Sequence, residues 1–200
     1  MSRLITGISV VAAVVGAAAA VVVVPEVRCA LKLDPPDGIR CSARHDPSPS
    51  DAAGLEQQIL VVRRLYQRVE GDQRAGRLDV VRKAVTGIGG DSAVAVIFRR
   101  GREVAKVQAW VYAGARRTSM EVFYEGSQPR FVFRTVFQGA REVEEHRYYF
   151  TGGRMIRWLD TNHDPVPPAS ERFRSRGSEL AQFAATLLAG STAPDDVVRF

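Results

Sequence analysis

The residues able to do acid–base chemistry gather late in the chain. Glu142, Glu144, Glu145 and His146 lie together in REVEEHRYYF, and Asp160, His163 and Asp164 follow in LDTNHDP. On an alternating strand, residues two apart share a face, so Glu144 could orient the His146 imidazole for proton transfer. His146 and His163 with Asp160 or Asp164 can also be drawn as a metal set, which would make the chain a hydrolase or another metal-dependent enzyme using Glu144, His146 and His163. The context argues otherwise: the carboxylates occupy ordinary positions of a charge-rich strand, and His163 sits in a turn beside proline. The expectation is a solvated or ion-paired strand surface, with no catalytic residue, metal or cofactor assigned.

Other chemistries lack their patterns. The chain contains no Gly-x-Ser-x-Gly, no phosphate loop, no dinucleotide fingerprint and no His-Glu-x-x-His. Gly87-Ile88-Gly89-Gly90 precedes a strand pattern instead of opening a helix, which makes it a poor phosphate cradle. Cys29 and Cys41 flank LKLDPPDGIR, with His45 the nearest imidazole. Two cysteines cannot complete a four-ligand zinc site. Outside the cytoplasm they would form a disulfide closing a short loop, worth on the order of 2–3 kcal/mol; two unpaired thiols are the alternative.

The strongest binding candidates are Arg147, Tyr148, Tyr149, Arg157 and Trp158. They belong to Arg141–Asp160, which reads as two antiparallel strands joined at Gly152-Gly153, because a type I′ turn needs positive φ at both central residues. That turn pairs Phe150 with Met155, Tyr149 with Ile156, Tyr148 with Arg157, Arg147 with Trp158 and His146 with Leu159. One face then carries Tyr149, Ile156, Arg147 and Trp158, and the other Phe150, Met155, Tyr148, Arg157, His146 and Leu159. Arg147–Trp158 and Arg157–Tyr148 would be cation–π pairs worth roughly 0.5–1 kcal/mol at exposed sites. Trp, Tyr and Arg together have the composition of an interface centre. One face should pack on a helix, leaving the other partly covered or open to a partner.

The elements that position these residues follow from periodicity. Leu55, Ile59, Val62, Tyr66 and Val69, widened by Leu65, repeat at helical spacing after a cap at Ser50 or Asp51, and Gly71 should stop the helix. A second helix is expected over Arg74–Val85, with Leu78 and Val81 inward. The pattern then becomes alternating over Ala93–Arg99, Arg102–Tyr112, Thr118–Glu125, Arg130–Gln138, Arg141–Thr151 and Arg154–Asp160. Short links between about six such strands demand an antiparallel meander. Phe131, Phe133, Thr135 and Phe137 share one face; Trp110 and Tyr112 share another against Val107, Ala109 and Val111. A short helix from about Ser178 carries Leu180, Phe183, Ala184 and Leu187, and residues 191–200 read as a loose tail.

The chain's start bears on location. Ile5–Val24 is uncharged, long enough at 1.5 Å per residue for a hydrocarbon core of about 30 Å, and preceded by Arg3. It reads as a signal anchor over residues 1–25, with a cleaved signal peptide as the alternative, and either places the remainder outside the cytoplasm. Residues 26–50 form a proline-rich, cysteine-containing linker, and residues 51–190 the folded domain. The net charge of +6 is almost all arginine, with lysine only at positions 32, 83 and 106. No basic run or nucleic-acid motif accompanies it, so no nucleic-acid partner is assigned. Arg28, Arg40 and Arg44 could still meet anionic lipid headgroups beside the anchor.

EHRYYFTGGRMIRWL, with Tyr148, Tyr149, Phe150, Gly153, Arg154, Met155 and Ile156, resembles the late hairpin of a group of secreted or membrane-anchored bacterial proteins with no assigned activity. Those proteins have an apolar leader, an amphipathic helix and a β-meander, so the resemblance extends from Leu55 to Asp160 and implies no catalytic residue. This chain departs from them at Gly152-Gly153 and in its Cys29/Cys41 segment. The expected fold is α+β: one curved antiparallel meander packed on the N-terminal helix, with a short C-terminal helix. The expected role is a non-enzymatic envelope domain that binds a protein, peptide or apolar ligand on its sheet face.

Overall fold

A computed structural model describes residues 49–87, 91–194 and 197–199. The expected anchor, nearly all of the linker, Cys29, Cys41 and the arginines at 28, 40 and 44 lie outside the described residues. Among the described residues no helix is long and apolar enough to cross a membrane.

The fold is α+β. Helix α1, Pro49–Arg74, precedes seven antiparallel strands: β1 (Asp79–Thr86), β2 (Ser92–Arg100), β3 (Glu103–Ala113), β4 (Arg116–Glu125), β5 (Gln128–Gln138), β6 (Arg141–Thr151) and β7 (Arg154–Leu159). Helix α2, Glu171–Thr192, and a short strand β8, Val197–Arg199, follow. The strands lie in sequence order from β7 to β1, with β8 added in parallel beside β1, and the sheet stays open.

Alternation along each strand gives the sheet two apolar faces. Phe98, Phe123, Phe131 and Tyr149 point to α1 and meet Ile59, Val62, Leu65 and Val69. Ile97, Val107, Val122, Val132, Tyr148, Phe150 and Trp158 point to α2 and meet Phe173, Leu180, Ala184 and Leu187. The helices therefore cover opposite faces. Burying each such side chain stabilises the fold by roughly 1.5–3 kcal/mol relative to leaving it in water.

Helix α1 runs past Gly71, where the sequence suggested a stop, and ends on a glycine C-cap instead. Gly76 takes φ +65, its N–H donates to Gln73 O at 3.1 Å, and Arg77 N–H donates to Asp72 O at 2.9 Å. Arg77 Nη2 pairs with Asp72 Oδ1 at 2.6 Å and Arg100 pairs with Oδ2, tying the helix end to β2. The helix expected over Arg74–Val85 is strand β1. Its inward positions are Val81, Lys83 and Val85, aligned with Ile97, Ala95 and Ala93 on β2.

The β6–β7 turn is the expected one, with φ +55 at Gly152 and +74 at Gly153. Its register is not. Phe150 faces Met155, but a bulge then makes Tyr149 face Arg157, Tyr148 face Trp158 and Arg147 face Leu159. Ile156 is the extra residue, and it shifts every later residue of β7 to the opposite face. Trp158 thereby joins the α2 face, while Arg157 and Leu159 join the α1 face. The expected pairs Arg147–Trp158 and Arg157–Tyr148 do not form.

Helix α2 begins at Glu171, well before Ser178, with Ser170 Oγ accepting from Phe173 N–H at 3.2 Å. Its last turn has no basic residue, but strand cations meet its free carbonyls. Lys83 Nζ donates to Gly190 O at 3.0 Å and Ala193 O at 2.6 Å, and Arg99 donates to Ser191 O. Val198 of β8 is fully buried against this end; a Cβ at Gly190 would lie 2.4 Å from its Cγ1. What read as a loose tail thus includes a strand packed beneath α2.

Candidate functional site

Where α1 crosses β4, β5 and β6, an aromatic floor forms beneath it. Facing pairs Phe123–Phe131, Phe131–Tyr149 and Phe133–Arg147 set these side chains in rows on the α1 side. The Tyr66 ring leans on Phe123 at 5.1 Å and Phe131 at 5.5 Å; Tyr149 meets Phe131 at 5.1 Å, and Phe133 stacks beside Phe131 at 6.5 Å. Helix α1 does not fill the space beside this floor. A cavity of about 300 Å³ remains, walled by Val62, Arg63, Tyr66 and Gln67 of α1, Phe131 and Phe133 of β5, and Arg147 and Tyr149 of β6.

The cavity is apolar at its base and charged at its mouth. Arg147 Nη2 pairs with Glu145 Oε1 at 2.6 Å, and its guanidinium lies 5.9 Å from the Phe133 ring. Glu145 also meets His163 Nε2 at 3.0 Å. The Tyr66 phenol is pushed above its ordinary pKa, first by burial and then by Glu70 and Glu121. It therefore acts as a neutral hydrogen-bonding group at neutral pH. Beyond the cavity the same face continues to Trp110 and Phe137, with the Arg117 guanidinium 4.9 Å from the first ring and 4.3 Å from the second.

The five candidate binding residues are divided by the sheet. Arg147 and Tyr149 line the cavity. Arg157 lies on the same side but pairs with Glu56 of α1 at 2.6 Å. Tyr148 and Trp158 are on the other side, 1% and 2% exposed, their rings tilted against each other at 5.4 Å in the core beneath α2. Arg172 of α2 covers the Trp158 ring at 4.5 Å. The sequence pattern alone left Arg63, Gln67, Phe131 and Phe133 out of the site. The signal for the phenylalanines was present in their shared strand face, and Tyr66 was visible as the one aromatic residue of the helical stripe.

The acid–base candidates are divided too. His146 and Glu144 lie on the α2 side, with His146 Nε2 3.6 Å from Glu144 Oε2, whereas His163 meets Glu145 on the α1 side. Asp160 Oδ1 accepts the N–H groups of Asn162 and Asp164, forming the turn after β7. Among the described residues no group of three or more His, Cys, Asp and Glu is placed to hold a metal ion. His146 Nδ1 accepts from Trp158 Nε1 at 3.3 Å, so a neutral ring carries its proton on Nε2, toward Glu144. That tautomer leaves no free lone pair for a general base.

This environment makes stability depend on pH. Burial chiefly, and then Arg134, lowers the His146 pKa from its ordinary 6.5, against the opposing pull of Glu144. The unfolded chain therefore takes up this proton first, so the stabilisation is complete above about pH 6.5 and lost as pH falls toward the lower folded value. His146→Gln keeps an acceptor for Trp158 and should flatten the slope of unfolding free energy as pH falls below about 6.5 in urea titrations. The lowered carboxylates act in a separate, more acidic window. Glu144, held down by the Arg134 hydrogen bond, and Asp72, held down by Arg77 and Arg100, lose their contributions below ordinary values of 4.5 and 3.8.

Comparison with known proteins gives no match to a protein-family model, to a curated protein or to a solved structure.

Proposed function

We propose that this chain is a non-enzymatic binding module that seats an apolar group of its ligand in the groove between α1 and β5–β6. The observation carrying this reading is the cavity itself, because it is an unfilled space with a floor of packed aromatic rings. At about 300 Å³ it stands at the small end of ligand pockets, which span about 300–1,000 Å³. Its walls are held on both sides: Arg157 fixes α1 near its start through Glu56, and Lys106 fixes it near its end through Glu70. Such pre-formed sites bind with little ordering cost. The uncharged Ile5–Val24 span supports a place at the bacterial cell envelope, with the domain outside the cytoplasm.

The test uses a neutral apolar reporter, N-phenyl-1-naphthylamine, which brightens when it leaves water. The wild-type protein should give a saturable increase. Tyr66→Ser and Phe133→Ser remove partly exposed groove rings and should each lower it strongly, while circular dichroism stays native. No brightening of the folded wild type, or an unchanged signal in both variants, would overturn the groove reading.

A further inference from the structure

If the groove is the binding site, the charge at its mouth narrows the class of ligand. Two guanidiniums reach it, and they are not equivalent. Arg147 is already paired with Glu145 at 2.6 Å. Arg63, exposed on α1 beside Val62 and Tyr66, has no side-chain ion pair or hydrogen bond among the described residues. The other charges near Tyr66 are committed to one another: Lys106 Nζ lies 2.8 Å from Glu70 and 2.6 Å from Glu121. An unneutralised positive charge therefore stands over an apolar cavity, with the neutral Tyr66 hydroxyl and the Gln67 amide beside it.

We infer that the occupant is a small amphipathic monoanion: an apolar tail lying on Phe131, Phe133 and Tyr149, and one carboxylate meeting Arg63. A planar guanidinium donates two parallel hydrogen bonds to a carboxylate, which fixes orientation as well as adding attraction. A single free charge matches a single negative headgroup. A dianion would have to draw Arg147 away from Glu145. A cationic headgroup would be repelled by the unpaired Arg63 guanidinium.

The experiment compares three probes with the same ten-carbon tail, decanoate, decanol and decyltrimethylammonium, by titration calorimetry on the wild-type protein. Decanoate should bind roughly five- to tenfold more tightly than decanol, the size expected of an exposed ion pair reinforced by its hydrogen bonds, and the ammonium should bind most weakly. Raising the salt concentration should narrow the gap. Arg63→Gln should bring decanoate to the level of decanol, while Arg64→Gln, on the same helix but outside the groove, should leave the preference intact.

Equal binding of decanoate and decanol would overturn the anion preference and leave the groove reading standing. So would an unchanged preference in Arg63→Gln, or tighter binding of the ammonium. Failure of all three tails to bind would remove both readings.

Discussion

Trp158→Ala should cost about 3–5 kcal/mol of folding free energy, the range for removing a fully buried large aromatic residue. Trp158 is 2% exposed and its ring packs against Tyr148 at 5.4 Å, so truncation opens a cavity beneath α2. It also strips His146 Nδ1 of its donor and Arg172 of the ring beneath it. Of these losses the cavity is the largest. Urea unfolding followed by circular dichroism measures the effect directly. Arg157→Ala, in the same strand, should change stability by only about 0–1 kcal/mol, because its pair with Glu56 is on the surface. If Trp158→Ala left stability within about 1 kcal/mol of wild type, a value typical of surface substitutions, Trp158 would have to lie at a surface, and the bulge that buries it would be wrong.

The contrast between these neighbours shows where the sequence was legible. Alternation located β2 to β7 and sorted Phe131, Phe133 and Phe137 correctly, because the large rings of β5 recur at every second position and a glycine stands near each turn. The Gly152-Gly153 turn could be read from two residues alone. The bulge at Ile156 could not: an extra residue in a strand carries no compositional mark, yet it exchanges the faces of Arg157, Trp158 and Leu159. In β7, face assignment was therefore sound only as far as the bulge at Ile156.

Strand β1 was missed for a different reason. Its inward row, Val81, Lys83 and Val85, contains a lysine that is only 5% exposed because its ammonium meets the last carbonyls of α2. That charge breaks the apolar alternation, and Leu78 and Val81 then mimic helical spacing. The same tertiary contact hid the C-terminal structure, since neither the buried lysine nor the burial of Val198 makes sense without the other element present. The start of α2 was obscured by a polar first half, in which Gly177 permits close approach to Met155. The groove was half legible. Its floor could be read from β5, but the gap between helix and floor depends on where α1 crosses, which is fixed by ion pairs distant in sequence.

Lys106 is the most consequential of those distant contacts. Its side chain is 4% exposed, and its ammonium reaches Glu70 of α1 at 2.8 Å and Glu121 of β4 at 2.6 Å. Gln73 adds a bond at 3.2 Å, and the rings of Phe98 and Phe123 lie 5.4 and 5.0 Å away. Lys106→Ala removes the cation, leaves two neighbouring carboxylates uncompensated and empties the space under α1. Breaking a buried pair on one side costs about 3–5 kcal/mol. Glu70 and Glu121 keep 24% and 20% exposure, so water relieves part of that cost, and the loss expected is about 3 kcal/mol. Lys106→Met retains the packing of the stem, and adding Glu121→Gln should recover about 1 kcal/mol by ending the carboxylate repulsion. The same residue couples stability to binding, because it holds the half of α1 that carries Tyr66 and Gln67 against the aromatic floor. Under conditions where Lys106→Met is still folded, it should bind the neutral reporter more weakly than wild type, with part of the signal restored by Glu121→Gln. Recovery of stability without recovery of reporter binding would separate the staple from the groove, and place the determinant of the cavity's shape in the Glu56–Arg157 end of the helix instead.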